Sequence, residues 1–189
     1  MRRFRTDEVP QALVGELLDL AELSPSVGNA QPWRWVSVAS AGARAKIRAN
    51  FEASNAEALA CQSDERAAAY ARLKLAGLER APVQLAVFCD EATGQGHGLG
   101  RRTMPEMLAY SVVSAVMTLW LGARARGLGV GWVSILDPAR LNADLAIPEG
   151  WRLVAYLCLG YPEEEHDDPE LARLNWQTRT GTGRAVLER

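Results

Sequence analysis

Two stretches of the sequence hold residues whose types and spacing could bind a ligand. Residues 24–33 (SPSVGNAQPW) concentrate hydroxyl, amide and backbone donors in a polar loop, and loops commonly carry binding residues. Residues 127–134 (GLGVGWVS) set three glycines at alternate positions just before a predicted strand, so a flat ring could lie against bare backbone. Each stretch also has an ordinary interpretation. The first could be a Ser/Asx turn and the second a tight helix-to-strand turn that needs positive φ.

A third stretch, the glycine run 94–100 (GQGHGLG), follows a predicted strand and precedes a predicted helix. A dinucleotide-binding loop needs the spacing GxGxxG. The third glycine of that pattern falls on Leu99 when counted from Gly94, and on Arg101 when counted from Gly96. The run therefore predicts a flexible surface loop and not a phosphate cradle.

Length and composition limit the class of protein. With 189 residues, 48% of them hydrophobic, the chain is long enough for one domain over residues 1–189 and too short to favour two. The net charge of -2 and the absence of a basic run of five residues argue against nucleic acid as a partner. Residues 107–123 carry no charge, but they are fewer than the ~20 apolar residues of a membrane span. We expect a helix buried in a core or a subunit interface, and no membrane partner.

The cysteines and histidines argue against a metal site. Three widely separated cysteines and two histidines occur, without a CxxC or HExxH motif, so we expect no metal. Buried free thiols fit a reducing compartment. The N-terminus is charged and no apolar stretch follows it, so a signal peptide is not expected and a cytoplasmic location is.

Hydrophobic periodicity predicts alternating helices and strands. We expect a helix over 10–23 with Asp7 ahead to cap it, a helix opened by a Thr103/Glu106 capping box, and a short helix from Asp137. Strands are predicted over 33–38, 83–89, 129–136 and 151–159. Residues 41–80 read as two helices with a break near 62–64 and sparse apolar positions, which favours a helical lid. Residues 162–189 read as a C-terminal arm, either disordered or wrapped over a partner subunit. The fold class is α+β, with one mixed sheet flanked by helices.

Taken together, these segments and several others resemble one branch of a known family. The motifs are SPSVG (24–28) with QPW (31–33), YARLKL (70–75), RTMPE (102–106), LWLGAR (119–124), GVGWVSI (129–135) and AYLCLGYP (155–162). In this order, and over residues 4–179, they resemble the 5,6-dimethylbenzimidazole synthase branch of the nitroreductase family. The resemblance implies a homodimer with a domain-swapped tail and FMN bound at the subunit interface.

The resemblance also implies roles for particular residues. Ser26, with Asn29 beside it, would sit near the flavin, and Lys74 would reach it from the lid. Gly131 and Val133 would line the ring, and Ser134 would be the catalytic group that hydrogen-bonds or relays a proton. Arg2, Arg3 and Arg179 match positions used for phosphate and ring contacts, which suit a guanidinium. Lys74 is one of only two lysines among 21 basic residues, although a solvated surface lysine remains the alternative.

The implied reaction consumes its flavin. Reduced FMN is the substrate; molecular oxygen adds, the ring system is fragmented, one ribityl carbon is kept and a four-carbon sugar phosphate leaves. A separate flavin reductase could supply the reduced FMN, and a lid would keep the pocket poor in water. Two alternatives stay open: an NAD(P)H-dependent nitroreductase or flavin reductase, and an FMN-binding protein without turnover.

The sequence departs from the family pattern at its start. Members of the branch open with Arg-Arg-Asp-Val-Arg-x-Phe, and alignment places Arg2 on the last arginine and Phe4 on the phenylalanine. Met1 then falls on the valine. The acidic residue held to be catalytic in the family, with the two arginines before it, is accordingly expected upstream of Met1.

Overall fold

Four strands form one sheet in the computed structural model, which describes residues 1–71, 73, 77–180 and 185–189. The strands are β1 (Trp33–Ser37), β2 (Val83–Asp90), β3 (Gly129–Val133) and β4 (Trp151–Gly160), in the spatial order β1-β2-β4-β3. Each neighbouring pair is antiparallel. The α+β fold class is confirmed, but the mixed sheet was wrong for these four strands, because apolar patterning locates strands and does not fix their direction.

Seven helices surround the sheet in the described ranges. They are α1 (Gln11–Glu22), α2 (Ala41–Ala60), α3 (Asp64–Ala71), α4 (Gly77–Arg80), α5 (Met107–Arg124), α6 (Pro138–Asp144) and α7 (Glu170–Arg173). Helices α1 and α5 cover one face of the sheet, where Leu17, Val116 and Leu157 share one hydrophobic cluster. Helices α2, α4 and α6 cover the other face, where Ile47, Leu141 and Tyr156 share a second cluster. The sheet is therefore covered on both sides, as its long apolar strands require.

Helix starts were predicted with mixed success. The Asp137 side chain accepts hydrogen bonds from the backbone N–H groups of residues 139 and 140, so the predicted cap of α6 is confirmed. Asp7 instead binds the Arg5 guanidinium at 2.7 Å, and Pro10 occupies the cap position of α1. The capping box was also wrong, because α5 begins after Glu106 and Thr103 lies too far upstream to reach its first turn.

The first of the two helices predicted over residues 41–80 is confirmed as α2, and the break falls at residues 61–63. The second was predicted too long, because α3 ends at Ala71 and α4 is a separate helix. The first half of α2 is part of the core and is not a loose cover. Ile47 is fully buried, and the buried Asn50 amide bonds both the N–H (2.8 Å) and the C=O (2.9 Å) of Asp137. Asn50 thus ties α2 to the start of α6, and a lid function for residues 41–80 stays a prediction.

Helix α5 is long and apolar enough to cross a bilayer by length and composition alone, but half of it is buried against α1 and the sheet. Its outer face carries Tyr110, Ser114, Met117 and Leu121, spaced at intervals of three and four residues. We call these four residues the α5 stripe. Tyr110 is 51% exposed, Met117 43% and Leu121 65%. The described part of the chain therefore leaves the α5 stripe exposed.

Both ends of the chain fold back onto its own body. Phe4 is fully buried and bridges to Pro162, and the Arg5 N–H donates to the Tyr161 carbonyl at 2.9 Å. In the arm, Trp176 stands edge-on to Tyr70 of α3 at 6.0 Å between ring centroids. The described arm contacts its own chain, so the arm that wraps a partner stays a prediction.

Candidate active site

The glycines of β3 make room for the N-terminal residue. A Cβ atom at Gly131 would overlap the Met1 carbonyl oxygen, and one at Gly129 would lie 2.8 Å from the Met1 Cγ. The Met1 ammonium group donates to the Val130 carbonyl at 3.1 Å, and burial lowers its pKa. The expectation that these glycines leave a bare face for a flat ring is therefore wrong within one chain, because Met1 lies on that face.

A cavity of about 160 Å³ adjoins this contact, and we call it the inner cavity. Its wall includes Arg2, Gly131 and Val133, three of the predicted binding residues. Burial raises the pKa of the Cys158 thiol, which also lines it, to about 12, so this thiol stays protonated and is a poor nucleophile. The rest of the wall is mainly apolar and is formed by Met1, Phe4, Gly77, Leu78, Trp120 and Trp132.

A second cavity of about 500 Å³, the outer cavity, lies between the N-terminus and the arm. Met1 and Arg2 line both cavities, so the two adjoin. Arg3 lines the outer cavity and lies 4.0 Å from the Glu170 carboxylate, a long contact between partly exposed groups that contributes little to stability. Arg173 is held more closely, at 2.7 Å from Asp168. An anion entering this cavity would meet arginines that already face carboxylates.

The loop that carries Ser26 and Asn29 is pinned to α5. The Val27 N–H donates to the Ser111 hydroxyl at 3.0 Å, and the Ser26 hydroxyl accepts from the Gln31 N–H at 3.0 Å. Gly28 has φ +58, and a Cβ there would lie 3.0 Å from the Gly96 carbonyl oxygen. Within one chain Ser26 thus closes a turn, as the ordinary interpretation of this stretch expected, and neither Ser26 nor Asn29 lines the two cavities.

Ser134 and Arg179 do not line the inner cavity. Ser134 is exposed and follows directly after the last residue of β3, and Arg179 is exposed in the arm. Lys74 lies outside the described residues. One chain therefore brings together Arg2, Gly131 and Val133, with Arg3 next to them.

The glycine run 94–100 forms a surface loop, as predicted. Gly96, Gly98 and Gly100 all have positive φ, and the run packs against Gly28. Over the part of the chain that the structure describes, no group of three or more His, Cys, Asp or Glu side chains is placed to hold a metal ion.

Sequence reasoning missed several residues of the inner cavity. Phe4 carried a usable signal, because it is the only aromatic residue among the first 32 and stands between charged neighbours. Gly77 carried none, because its close approach to Phe4, where a Cβ would lie 2.9 Å from the ring, joins segments that are distant in sequence. Trp120 and Trp132 were visible as aromatic residues inside the motifs, but α5 and β3 had to be packed together before they could be assigned to one wall.

The chain belongs to the nitroreductase family, whose pattern it matches over residues 1–161. It is 60% identical over 179 residues to 5,6-dimethylbenzimidazole synthase of Rhodospirillum rubrum, covering 95% of this chain and 85% of that protein. It is 46% identical to a 5,6-dimethylbenzimidazole synthase of Rhodobacter capsulatus, covering 96% and 88%. It is also 30% identical to an NADH dehydrogenase of Thermus thermophilus, covering 87% and 83%.

Solved structures share the fold. Oxidized iodotyrosine deiodinase bound to FMN and 3-iodo-L-tyrosine superposes with a TM-score of 0.74 at 24% identity, covering 99% of this chain and 91% of that one. A nitroreductase in complex with FMN from Exiguobacterium sibiricum gives 0.66 at 15% identity, covering 95% and 92%. At such identities the comparison concerns the fold alone, and that fold accommodates FMN in both relatives.

Proposed function

We propose that this chain is a 5,6-dimethylbenzimidazole synthase whose substrates are reduced FMN and molecular oxygen. The observation that carries the proposal is the 60% identity to a protein of that name over 95% of the chain. The motif GVGWVSI, which resembles this branch in particular, forms β3 and the two residues after it. Val133 of this motif lines the inner cavity, and Ser134 follows it directly.

The two adjoining cavities fit the chemistry of FMN. A flavin joins a flat ring system to a phosphate group through a sugar chain. The inner cavity is mainly apolar, and the outer cavity carries three arginines among three carboxylates. Arg2 and Arg3 would hold the phosphate, and Gly131 and Val133 would line the ring. The inner cavity of about 160 Å³ is smaller than the ~300–1,000 Å³ of ordinary ligand pockets, so one chain alone is an incomplete site.

A second copy of the chain would complete the site. The α5 stripe is an apolar surface on a helix that is otherwise buried, as expected at an obligate interface. Ser26 and Asn29 lie on a loop pinned to that helix, and Arg179 lies in the arm. We propose a homodimer in which these three residues reach the partner's inner cavity and the arm exchanges between subunits. Lys74 would reach the flavin from the helical lid.

Bound reduced FMN supplies the ring that is broken down with oxygen to give the aromatic product. The chain contributes an apolar wall that excludes water, in which Phe4 and Val133 are both buried. Ser134 carries a hydroxyl one residue beyond that wall, where it would donate a hydrogen bond or pass a proton during ring breakdown. Arg2 lines both cavities, so it would orient the ligand along the line that joins them.

Product analysis tests this proposal. Chemically reduced FMN is mixed with the protein without oxygen, oxygen is then admitted, and the mixture is searched for 5,6-dimethylbenzimidazole. The aromatic product is expected only when protein, reduced flavin and oxygen are all present. Steady NADPH oxidation without a partner reductase would instead indicate a nitroreductase or flavin reductase. Tight FMN binding with no aromatic product would indicate a non-catalytic flavin protein.

We also propose that a separate reductase supplies the reduced FMN and that the protein is cytoplasmic.

A further inference from the structure

A buried chain of hydrogen bonds connects the centre of the sheet to helix α4. The Tyr156 hydroxyl donates to the Gln84 side-chain oxygen at 2.7 Å, and the Gln84 side-chain nitrogen donates to the Leu78 carbonyl at 3.0 Å. Tyr156 is fully buried and Gln84 is 1% exposed. A carbonyl can only accept, so Leu78 must face the Gln84 NH₂ group, and the Gln84 oxygen must then take the tyrosine proton. One arrangement satisfies all three groups.

Leu78 is the last residue of this series of hydrogen bonds, and it separates two cavities. It lines the inner cavity, and it also lines a third cavity of about 390 Å³ under α2 and α3, which includes Tyr70 and Leu73. The side chain is 5% exposed. Displacement of Leu78 would therefore connect the inner cavity to the space beneath the helical cover.

Other contacts hold the backbone on either side of Leu78. Gly77 approaches Phe4 and Cys158 so closely that a Cβ would lie 2.9 Å from the Phe4 ring. Arg44 donates to the Ala81 carbonyl at 3.2 Å and to the Pro82 carbonyl at 2.6 Å. These contacts fix the ends of α4. The Gln84 amide holds the Leu78 carbonyl, and the Leu78 side chain packs in the second hydrophobic cluster.

We propose that Gln84 and Tyr156 are positioning residues that hold Leu78 as the wall of the inner cavity, and so keep the bound flavin sealed from the space under the cover. Burial raises the pKa of the Tyr156 hydroxyl far above its ordinary value, so it remains a donor at all working pH values. The proposal rests on flavin binding in the inner cavity, but the hydrogen-bond chain and the wall belong to the protein without ligand. They can be tested separately.

Two variants that should lose similar stability isolate the hydrogen bond from Gln84 to the Leu78 carbonyl. Tyr156→Phe leaves the Gln84 oxygen without its donor but keeps the bond to Leu78. The double variant Gln84→Leu/Tyr156→Phe removes that bond and leaves the Leu78 oxygen without its donor. Each variant leaves one buried acceptor without a hydrogen bond, so the two should be destabilised to a similar extent. Only the double variant releases α4.

Hydrogen–deuterium exchange of peptides covering α4, measured on the full chain without flavin, should then be about tenfold faster in the double variant than in Tyr156→Phe, the effect of losing one hydrogen bond. FMN release should accelerate in the same order. Equal α4 exchange in the two variants, once corrected for their global stability, would overturn the proposal, because Gln84 and Tyr156 would then be ordinary core residues.

A third variant, Leu78→Ala, keeps the hydrogen-bond chain and removes the wall. Leu78 is a buried core side chain, so this variant should lose global stability. After correction for that loss, parent-like exchange of α4 with faster FMN release is expected, and parent-like release would overturn the role of Leu78. If the parent chain retains no FMN, the proposed function fails, whereas the exchange comparison still decides whether Gln84 and Tyr156 position α4.

Discussion

Replacing Gly131 by alanine would place a methyl group on the Met1 carbonyl oxygen. Gly131 does not need positive φ, so the cost comes from this overlap and not from backbone strain. Because the obstacle is a backbone atom, relief requires the N-terminal segment to shift, which removes the bond from Met1 to Val130 and disturbs Phe4. Overpacking of this kind costs about 1–3 kcal/mol in the free energy of unfolding.

Two other glycines provide graded controls. At Gly129 the nearest atom is Met1 Cγ at 2.8 Å, part of a flexible side chain that can move, so Gly129→Ala should cost less. At Gly15, within α1, a Cβ would meet nothing within 4 Å, and alanine should stabilise the helix by roughly 0.5–1 kcal/mol. From the most to the least stable, the expected order is Gly15→Ala, parent, Gly129→Ala and Gly131→Ala.

Urea denaturation with a common slope measures these differences, and FMN retention measured alongside should fall most for Gly131→Ala. A parent-like free energy of unfolding for Gly131→Ala would refute the contact between Met1 and β3. Loss of stability with unchanged FMN retention would instead separate that contact from the flavin site.

Four further predictions follow from exposed or capping residues. Ser134→Ala should keep FMN binding and lower product formation about ten- to a thousandfold, and product at the parent rate would remove Ser134 from the chemistry. Light scattering should show a dimer for the parent and a monomer for Leu121→Glu, because the change would bury an unpaired carboxylate; a monomeric parent would contradict the interface. Of the three thiols, only the exposed Cys61 should react quickly with a disulfide reagent at pH 8, because burial raises the pKa of Cys89 to about 11 and that of Cys158 to about 12. Fast reaction of all three thiols would contradict the burial of Cys89 and Cys158. Asp137→Ala should cost about 1 kcal/mol by removing the cap of α6, and an unchanged denaturation midpoint would contradict the cap.

Most elements of the fold were predictable because hydrophobic spacing is a local property. The apolar runs that became β2 and β4 were each located within one residue of their observed bounds. The uncharged run 107–123 lies within α5, but the capping box at Thr103 placed the start of that helix too early. Strand direction was not predictable, because the pairing partner of β3 lies more than twenty residues away in β4. Helix starts failed where a competing partner was nearby, as with Arg5 for Asp7.

The candidate site was less accessible to sequence reasoning, because its walls come from distant segments. The alternate glycines of 127–131 were expected to leave a bare face for a flat ring, but within one chain Met1 lies against Gly129 and Gly131, and a Cβ at Gly127 would meet nothing within 4 Å. Gln84 and Tyr156 did carry a signal, since each is a polar residue inside an apolar strand. Their connection to Leu78 required the three-dimensional structure.

The bridge between Phe4 and Pro162 sets an order of events during synthesis. Phe4 is synthesised 158 residues before Pro162, so the bridge between them waits for a partner that is added much later. At about 5–20 residues per second, this interval is on the order of ten seconds. Throughout that time an apolar side chain and two neighbouring arginines stay in solvent, and the edge of β3 has no cover. The inner cavity therefore closes only after β4 has been made, and the outer cavity closes later still, because residues 164–174 line it. A growing chain cannot hold a flavin in the inner cavity before β4 has formed.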